Sequence, residues 1–227
     1  MTERYLRSVL VEGFGPEGQE RLSRSTVAVA GCGGLGSAAL SYLAAAGVGR
    51  LVIADGDTVS LSNLQRQVLY TTAQIGRHKA TCAAERLGAI NPDVDIVVHN
   101  VSISVDNFDG FASGADIVID CTDNYAARYA LSSMCKERSL PFIYATAEDM
   151  GGQVALFTPR HGAYYHDLYP ESAEQRPVVG VMPPIPGVIG AIEASEAIKY
   201  LSGTGDTLEG KLLVADMRRM RFEIFGL

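Results

Sequence analysis

The chain has 227 residues, a hydrophobic fraction of 47%, a charged fraction of 20% and a net charge of -7. This is an ordinary composition for a folded domain whose core is large enough to need neither disulfide nor metal staples. The acidic balance argues against nucleic acid as the main ligand, because phosphate-backbone binding relies on basic surface, but it leaves room for a small anion in a locally basic pocket.

In chain order, residues 16–24 predict a short helix and TVAVAG (26–31) a buried strand. Residues 36–46 are Ala-rich and precede Gly47, which predicts a helix and its C-terminal stop. RLVIAD (50–55) reads as a second strand, residues 72–90 as a helix ending at Asn91-Pro92, and VDIVVHN (94–100) as a third strand. ADIVIDC (115–121) is a fourth strand, 124–138 the next helix and LPFIYAT (140–146) a fifth strand. Strands alternating with helices imply a parallel sheet with right-handed crossovers. After residue 150 the rhythm changes: QVALFTP (153–159) reads as a strand, 168–186 as a loop, 187–202 as a helix, and KLLVADM with MRFEIFG (211–226) as a hairpin. The expected architecture is a Rossmann-like, doubly wound parallel sheet continued by antiparallel C-terminal strands, all within one domain over 1–227. The charged opening MTERYLRSVL and the lack of any apolar run near the roughly 20 residues of a membrane span predict a cytoplasmic protein.

The chemistry-bearing residues cluster at strand ends. GCGGLG supplies Gly31, Gly33, Gly34 and Gly36, which let the chain turn tightly and bring backbone N–H groups to a phosphate at a helix N-terminus. Asp55, nineteen residues after Gly36, ends the second strand where a carboxylate accepts from a ribose diol. These two features predict an adenosine nucleotide but do not separate NAD from ATP, and a ligand-free turn followed by a turn acid would also satisfy them. SNLQRQ (62–67) and Lys79 tilt the balance. Arg66 offers a planar fork and Lys79 a point charge, two cations more than a dinucleotide's diphosphate needs; the alternative is a pair of solvated surface charges.

DCTDN (120–124) ends the fourth strand, which in a doubly wound sheet lies beside the first. Asp123 then faces the glycine turn, and a carboxylate there helps bind polyphosphate only through a cation such as Mg²⁺. The structural alternative is an N-cap on the next helix. Asp120 has the weaker claim. The four cysteines, Cys32, Cys82, Cys121 and Cys135, form no Cys-x-x-Cys pair, so no zinc site of that type is expected. Cys32, inside the glycine turn, is read as a small filler rather than a reactive thiol.

Together the motifs RYLRSVL, AGCGGLGS, ADGDTVSLSNLQRQ, GRHKA, INP, DCTDN, GGQVALF and GVMPPIPGVIGAIEASEAIK resemble the ThiF/MoeB/HesA family, bacterial relatives of ubiquitin-activating enzymes, over nearly the whole chain. The resemblance implies an adenylyltransferase. It would use Mg-ATP to convert the C-terminal glycine carboxylate of a small ubiquitin-like sulfur carrier, ending in Gly-Gly, into an acyl-adenylate with release of pyrophosphate. A sulfur-donor enzyme would then deliver sulfur for molybdopterin or thiamin synthesis. It also implies ATP and metal contacts at Gly34, Asp55, Ser62, Asn63, Leu64, Gln65, Arg66, Lys79, Asp123 and Asn124, and a homodimer in which Arg7 reaches the partner's site. Two departures stand out: the family's Cys-x-x-Cys pairs are replaced here by HGAYYHDLYP and a terminus FEIFGL, and the loop 172–182 has no cysteine. Structural zinc and a covalent cysteine step are therefore not expected. Ser8 stands where the family usually has Gln. Other relatives adenylate a peptide or a tRNA base; the net charge speaks against tRNA. A nicotinamide oxidoreductase would share the turn and the acid, but no set of hydride-transfer residues is present. A non-catalytic binding protein would have no reason to keep Arg66, Lys79 and Asp123.

Overall fold

The computed structural model describes residues 3–170 and 179–227. Eight strands form one sheet in the order β3-β2-β1-β4-β5-β6-β7-β8. They are β1 (Thr26–Ala30), β2 (Arg50–Ala54), β3 (Asp95–His99), β4 (Ile117–Asp120), β5 (Phe142–Glu148), β6 (Gly151–Phe157), β7 (Lys211–Asp216) and β8 (Arg221–Gly226). The first five pair in parallel and the last three add antiparallel. The fourth strand does lie beside the first, with Ala30 opposite Asp120.

Side chains alternate across the parallel half. Val27 and Val29 of β1 join the core beneath α2 (Gly34–Ala46), α3 (Lys79–Ile90) and α7 (Pro184–Ser202). Ala28 and Ala30 join the opposite core, with α4 (Phe108–Ala112), α5 (Tyr125–Glu137) and α6 (Tyr165–Leu168). Burial on both faces explains why these strands read as continuous apolar runs. β8, by contrast, is exposed along its whole length at the sheet edge.

The sequence places most helices well. α1 (Gly15–Arg24) and α5 fall within a residue or so of expectation, and α2 does stop at Gly47, whose φ of 81° forms a left-handed C-cap. Two boundaries need correction. Residues 72–90 are not one helix: Thr72–Gln74 form a 3₁₀ turn, Gly76 takes φ 87°, and α3 starts only at Lys79. A left-handed glycine cannot continue an α-helix, so the apolar spacing misled there. α7 begins at Pro184 rather than 187, since proline is tolerated in a first turn, where its missing N–H is not needed. Of the expected loop 168–186, residues 171–178 lie outside the described residues.

Candidate active site

The glycine turn is the junction of β1, α2 and β4. Gly31 leaves β1 at φ 95°, and a Cβ there would sit 2.6 Å from the Cys121 carbonyl oxygen. A Cβ on Gly36 would sit 2.2 Å from the Gly31 carbonyl oxygen. These two glycines hold the scaffold together. Gly33, the residue capping α2, and Gly34, its first residue, are only partly covered and present the helix N-terminus. Unpaired N–H groups and the helix dipole favour an anion at that place.

Asp55 ties the turn to the end of β2. Its Oδ2 accepts from the Cys32 N–H at 2.8 Å and its Oδ1 from the Asp57 N–H at 2.8 Å. Burial pushes its pKa up, against the pull of the Cys32 N–H and of Lys79. Each carboxylate oxygen keeps a second acceptor direction, as a ribose diol requires. Lys79 opens α3 with 5% exposure, and its Nζ donates to Asp57 Oδ2 at 2.8 Å. Asp57 was not among the residues singled out from the sequence; the second acid of Asp-Gly-Asp was its only signal.

Arg66 is partly exposed and its Nη1 donates to the Ser62 carbonyl at 3.2 Å. Its Cγ lies 3.6 Å from the place a Cβ on Gly34 would take, so its stem runs alongside the start of α2. Ser62 and Asn63 belong to a 3₁₀ turn, Leu61–Asn63, and the Asn63 carbonyl accepts from the N–H groups of Arg66 and Gln67, both at 3.0 Å. Leu64 packs on the core, which makes it a support, while Gln65 is exposed. Cys32 is fully buried, and desolvation, then the Asp55 charge, push its thiol pKa up. It is a filler, as expected, and not a low-pKa nucleophile.

At the end of β4 two aspartates divide the work. Asp120 has no exposure: its Oδ2 accepts from Arg128 Nε at 2.8 Å, and its Oδ1 from the Thr122 N–H at 2.9 Å and hydroxyl at 2.6 Å. Arg128 Nη2 donates on to the carbonyls of Thr122 at 3.0 Å and Ala145 at 3.2 Å. Burial disfavours the charged guanidinium, but Asp120, Tyr144 and Tyr165 together outweigh this, and its pKa is raised. Arg128 was not predicted; eight residues beyond Asp120 on a helix, it carries no local signal. Asp123 is exposed and has no hydrogen bond among the described residues. The N-cap alternative for Asp123 is overturned: α5 is capped by Asn124, whose Oδ1 accepts from the Ala127 N–H at 2.8 Å. Thr122 N lies 3.0 Å from the Cβ position of Gly31, so the Asp123 turn borders the glycine turn.

Arg7 is apart from this cluster. Two residues before it, Tyr5 packs its hydroxyl against Gly47 at the C-terminal end of α2, whereas the glycine turn is at the N-terminal end. Thirteen helical residues separate the two ends, about 20 Å at 1.5 Å per residue. Arg7 is exposed and has no ion pair among the described residues. A cavity of about 630 Å³ opens beside the start of α5 and is lined by Tyr125, Arg128, Tyr144, Tyr165 and Gln153 among others. Among the described residues no group of three or more His, Cys, Asp or Glu could hold a metal ion, and no helix is long and apolar enough to cross a membrane.

Comparison with known proteins gives this geometry a context. The ThiF family model matches residues 5–227. The molybdopterin-synthase adenylyltransferase of Escherichia coli is 41% identical over 96% of this chain and 90% of its own length. The sulfur carrier protein ThiS adenylyltransferase of the same organism is 39% identical over 99% of this chain and 90% of its own. Among solved structures, Escherichia coli MccB with MccA-N7isoASN matches at a TM-score of 0.90 and 22% identity, over 100% of this chain and 72% of that one. At that identity the likeness concerns the fold alone.

Proposed function

The chain belongs to the ThiF family, and from that premise we propose that it adenylates the C-terminal glycine carboxylate of a small ubiquitin-like sulfur carrier. The observation that carries this reading is the placement of Arg66 alongside Gly34 at the start of α2, with Asp55 bonded to the same turn and the buried Lys79 paired with Asp57 beside it. Asp55 would hold the ribose. Gly33 and Gly34, with Ser62, Asn63 and Arg66, would hold the phosphates. A carboxylate oxygen of the carrier attacks the α-phosphorus, the bond from that phosphorus to the β-bridging oxygen breaks, and pyrophosphate leaves. The nucleophile is already ionised, so no general base is required. The demand is for positive charge on the α-phosphate and the leaving group, which Arg66 and Lys79 supply.

Asp123 fits a magnesium ion, being exposed and unpaired at the rim. Mg²⁺ is usually bound by one or two carboxylates plus phosphates, so it would arrive with the nucleotide and neutralise phosphate charge. The tyrosine-lined cavity at the start of α5 would receive the carrier's extended tail. The relatives of nearly equal identity are named for two different targets, molybdopterin synthase and the sulfur carrier protein ThiS, so the proposal covers the class: a carrier ending in Gly-Gly, in molybdopterin or thiamin synthesis. We expect a cytoplasmic single-domain protein without zinc.

Arg7 supports a homodimer with shared sites, because its own glycine turn is a helix length away. Leu6, Leu10 and Val11, exposed close to Arg7 in the chain, and Tyr42, which lines one cavity with Val11, offer the apolar contact. In a two-fold dimer, mixing inactive Arg7→Ala and Asp123→Ala subunits at random restores one intact site in half the dimers, roughly a quarter of wild-type activity. If Arg7 served its own subunit, mixing would restore nothing.

The test of the function is pyrophosphate release from Mg-ATP. It should depend on a carrier ending in Gly-Gly and vanish when the final glycine is removed. Carrier-independent release, or binding of NAD in place of ATP, would overturn the proposal.

A further inference from the structure

Gln67 closes the motif SNLQRQ. Its side chain is 97% covered, with 3% exposure, yet its Oε1 is sealed without any hydrogen-bond partner. Its Nε2 lies 3.4 Å from the place a Cβ on Gly33 would occupy. Among the described residues no protein acceptor meets that Nε2. A buried carboxamide oxygen without a partner is costly, since it loses water and gains nothing, and native structures leave few such groups unexplained. The neighbouring Arg66 runs alongside Gly34 in the same way. Two consecutive side chains thus flank two consecutive residues at the start of α2.

We propose that Gln67 is a nucleotide-contacting residue whose carboxamide N–H₂ donates to the phosphate nearest the ribose, at the N-terminus of α2. The inference rests on the ATP reading given above. Four observations carry it. The amide lies against the capping residue Gly33, where unpaired N–H groups attract an anion. Its backbone is fixed, because the Gln67 N–H donates to the Asn63 carbonyl at 3.0 Å and the Gln67 carbonyl accepts from the Tyr70 N–H at 3.2 Å. Asp55 is tied to the same turn through the Cys32 N–H, where the ATP reading puts the ribose. A neutral donor also complements Arg66: the guanidinium supplies charge, and the amide supplies direction in a nearly dry setting where a hydrogen bond to an ion is strong. The unpaired amide of the free protein is then a group held ready for the nucleotide.

The test is titration of the full chain with Mg-ATP and, separately, with adenosine, in wild type, Gln67→Met, Gln67→Glu and Gln67→Asn. Gln67→Met keeps the shape and removes the donor, so ATP should bind about ten- to a hundredfold more weakly. Gln67→Glu sets a carboxylate against the phosphate and should weaken ATP further. Gln67→Asn withdraws the amide by one methylene and should also lose affinity. Adenosine, which has no phosphate, should bind all four proteins alike. A merely structural role predicts instead that adenosine and ATP weaken together. A structural role also predicts a lower melting temperature for Gln67→Met. The inference predicts a rise of about 2–4 °C, since an unpaired buried amide has gone. Equal ATP affinity in wild type and Gln67→Met would overturn the inference alone. Absence of ATP binding in wild type would overturn the functional reading and this inference with it.

Discussion

The ends of β2 and of β4 solve the same problem with different chemistry. At β2, Asp55 uses both oxygens on backbone N–H groups and stays open to a ligand, while the exposed Asp57 pairs with the buried Lys79. At β4, Asp120 is sealed in an ion pair with Arg128, and the exposed Asp123 three residues on has no partner among the described residues. In each case one carboxylate builds the turn. The difference lies in cost: a carboxylate satisfied by N–H groups at a rim can serve both fold and ligand, whereas a buried ion pair is committed to the fold. Removing Asp120 should therefore cost stability, and removing Asp123 should cost activity.

The largest expected effect is on Asp120. Asp120→Ala leaves the Arg128 guanidinium buried and unpaired, which should cost about 3–5 kcal/mol. A urea-unfolding midpoint unchanged from wild type would break the contrast. Asp123→Ala should stay within about 0.5 kcal/mol of wild-type stability, as for other exposed positions, while losing ATP-dependent activity.

Arg66→Ala comes next. Among the described residues its side chain makes one hydrogen bond, to the nearby Ser62 carbonyl, so the fold should be untouched. The rate of pyrophosphate release should fall by about 10²–10³-fold, the usual loss for one group that stabilises developing charge. An unchanged rate would move Arg66 to the scaffold side of the comparison.

Glu193 sharpens the β4 side. This α7 carboxyl is fully buried, and the Cys121 thiol lies 3.6 Å from its Oε2. Desolvation first, then the Asp120 charge, raise its pKa well above the ordinary value, against the Cys121 and Arg128 contributions. As pH rises past the unfolded-state pKa, near 4.5, only the unfolded chain loses the proton. Its contribution is thus full at low pH and is lost as pH rises toward the folded pKa. The slope is about 1.4 kcal/mol per pH unit. Glu193→Gln should flatten that decline, so the gap between variant and wild type widens from pH 5 to pH 8 in urea unfolding. A constant gap would contradict the assignment.

Among the residues that serve the fold, the smallest effect is on Asn124. Asn124→Ala removes the cap of α5 and should cost about 1 kcal/mol, more than Asp123→Ala beside it. The reverse order would mean that Asp123 caps the helix after all.

The two strand ends were unequally legible in the sequence. Gly31, Asp55, Arg66 and Lys79 stand at spacings that a strand–turn–helix unit imposes, and continuous apolar runs mark strands buried on both faces. Arg128 and Glu193 have no such marker. One meets Asp120 only through the packing of α5 on the sheet, and the other meets Cys121 across 72 residues. Gln67 sat inside a recognised motif and was passed over because its burial cannot be read from its neighbours. The 3₁₀ turn before α3 was missed because Gly76 in a left-handed conformation leaves no trace in hydrophobic spacing. The four- and five-residue helices α6 and α4 are too short to establish a period.

The central claim is that both strand ends act on one ATP, with charge gathered at its α-phosphate. Mass spectrometry of a carrier ending in Gly-Gly, incubated with this chain and Mg-ATP, tests it most directly. The account predicts a carrier bearing one adenylate on its terminal glycine, with pyrophosphate as the other product, and no adduct with Arg66→Ala over the same interval. A carrier bearing a single phosphate, with ADP as the other product, would place the reaction at the γ-phosphate and contradict the account.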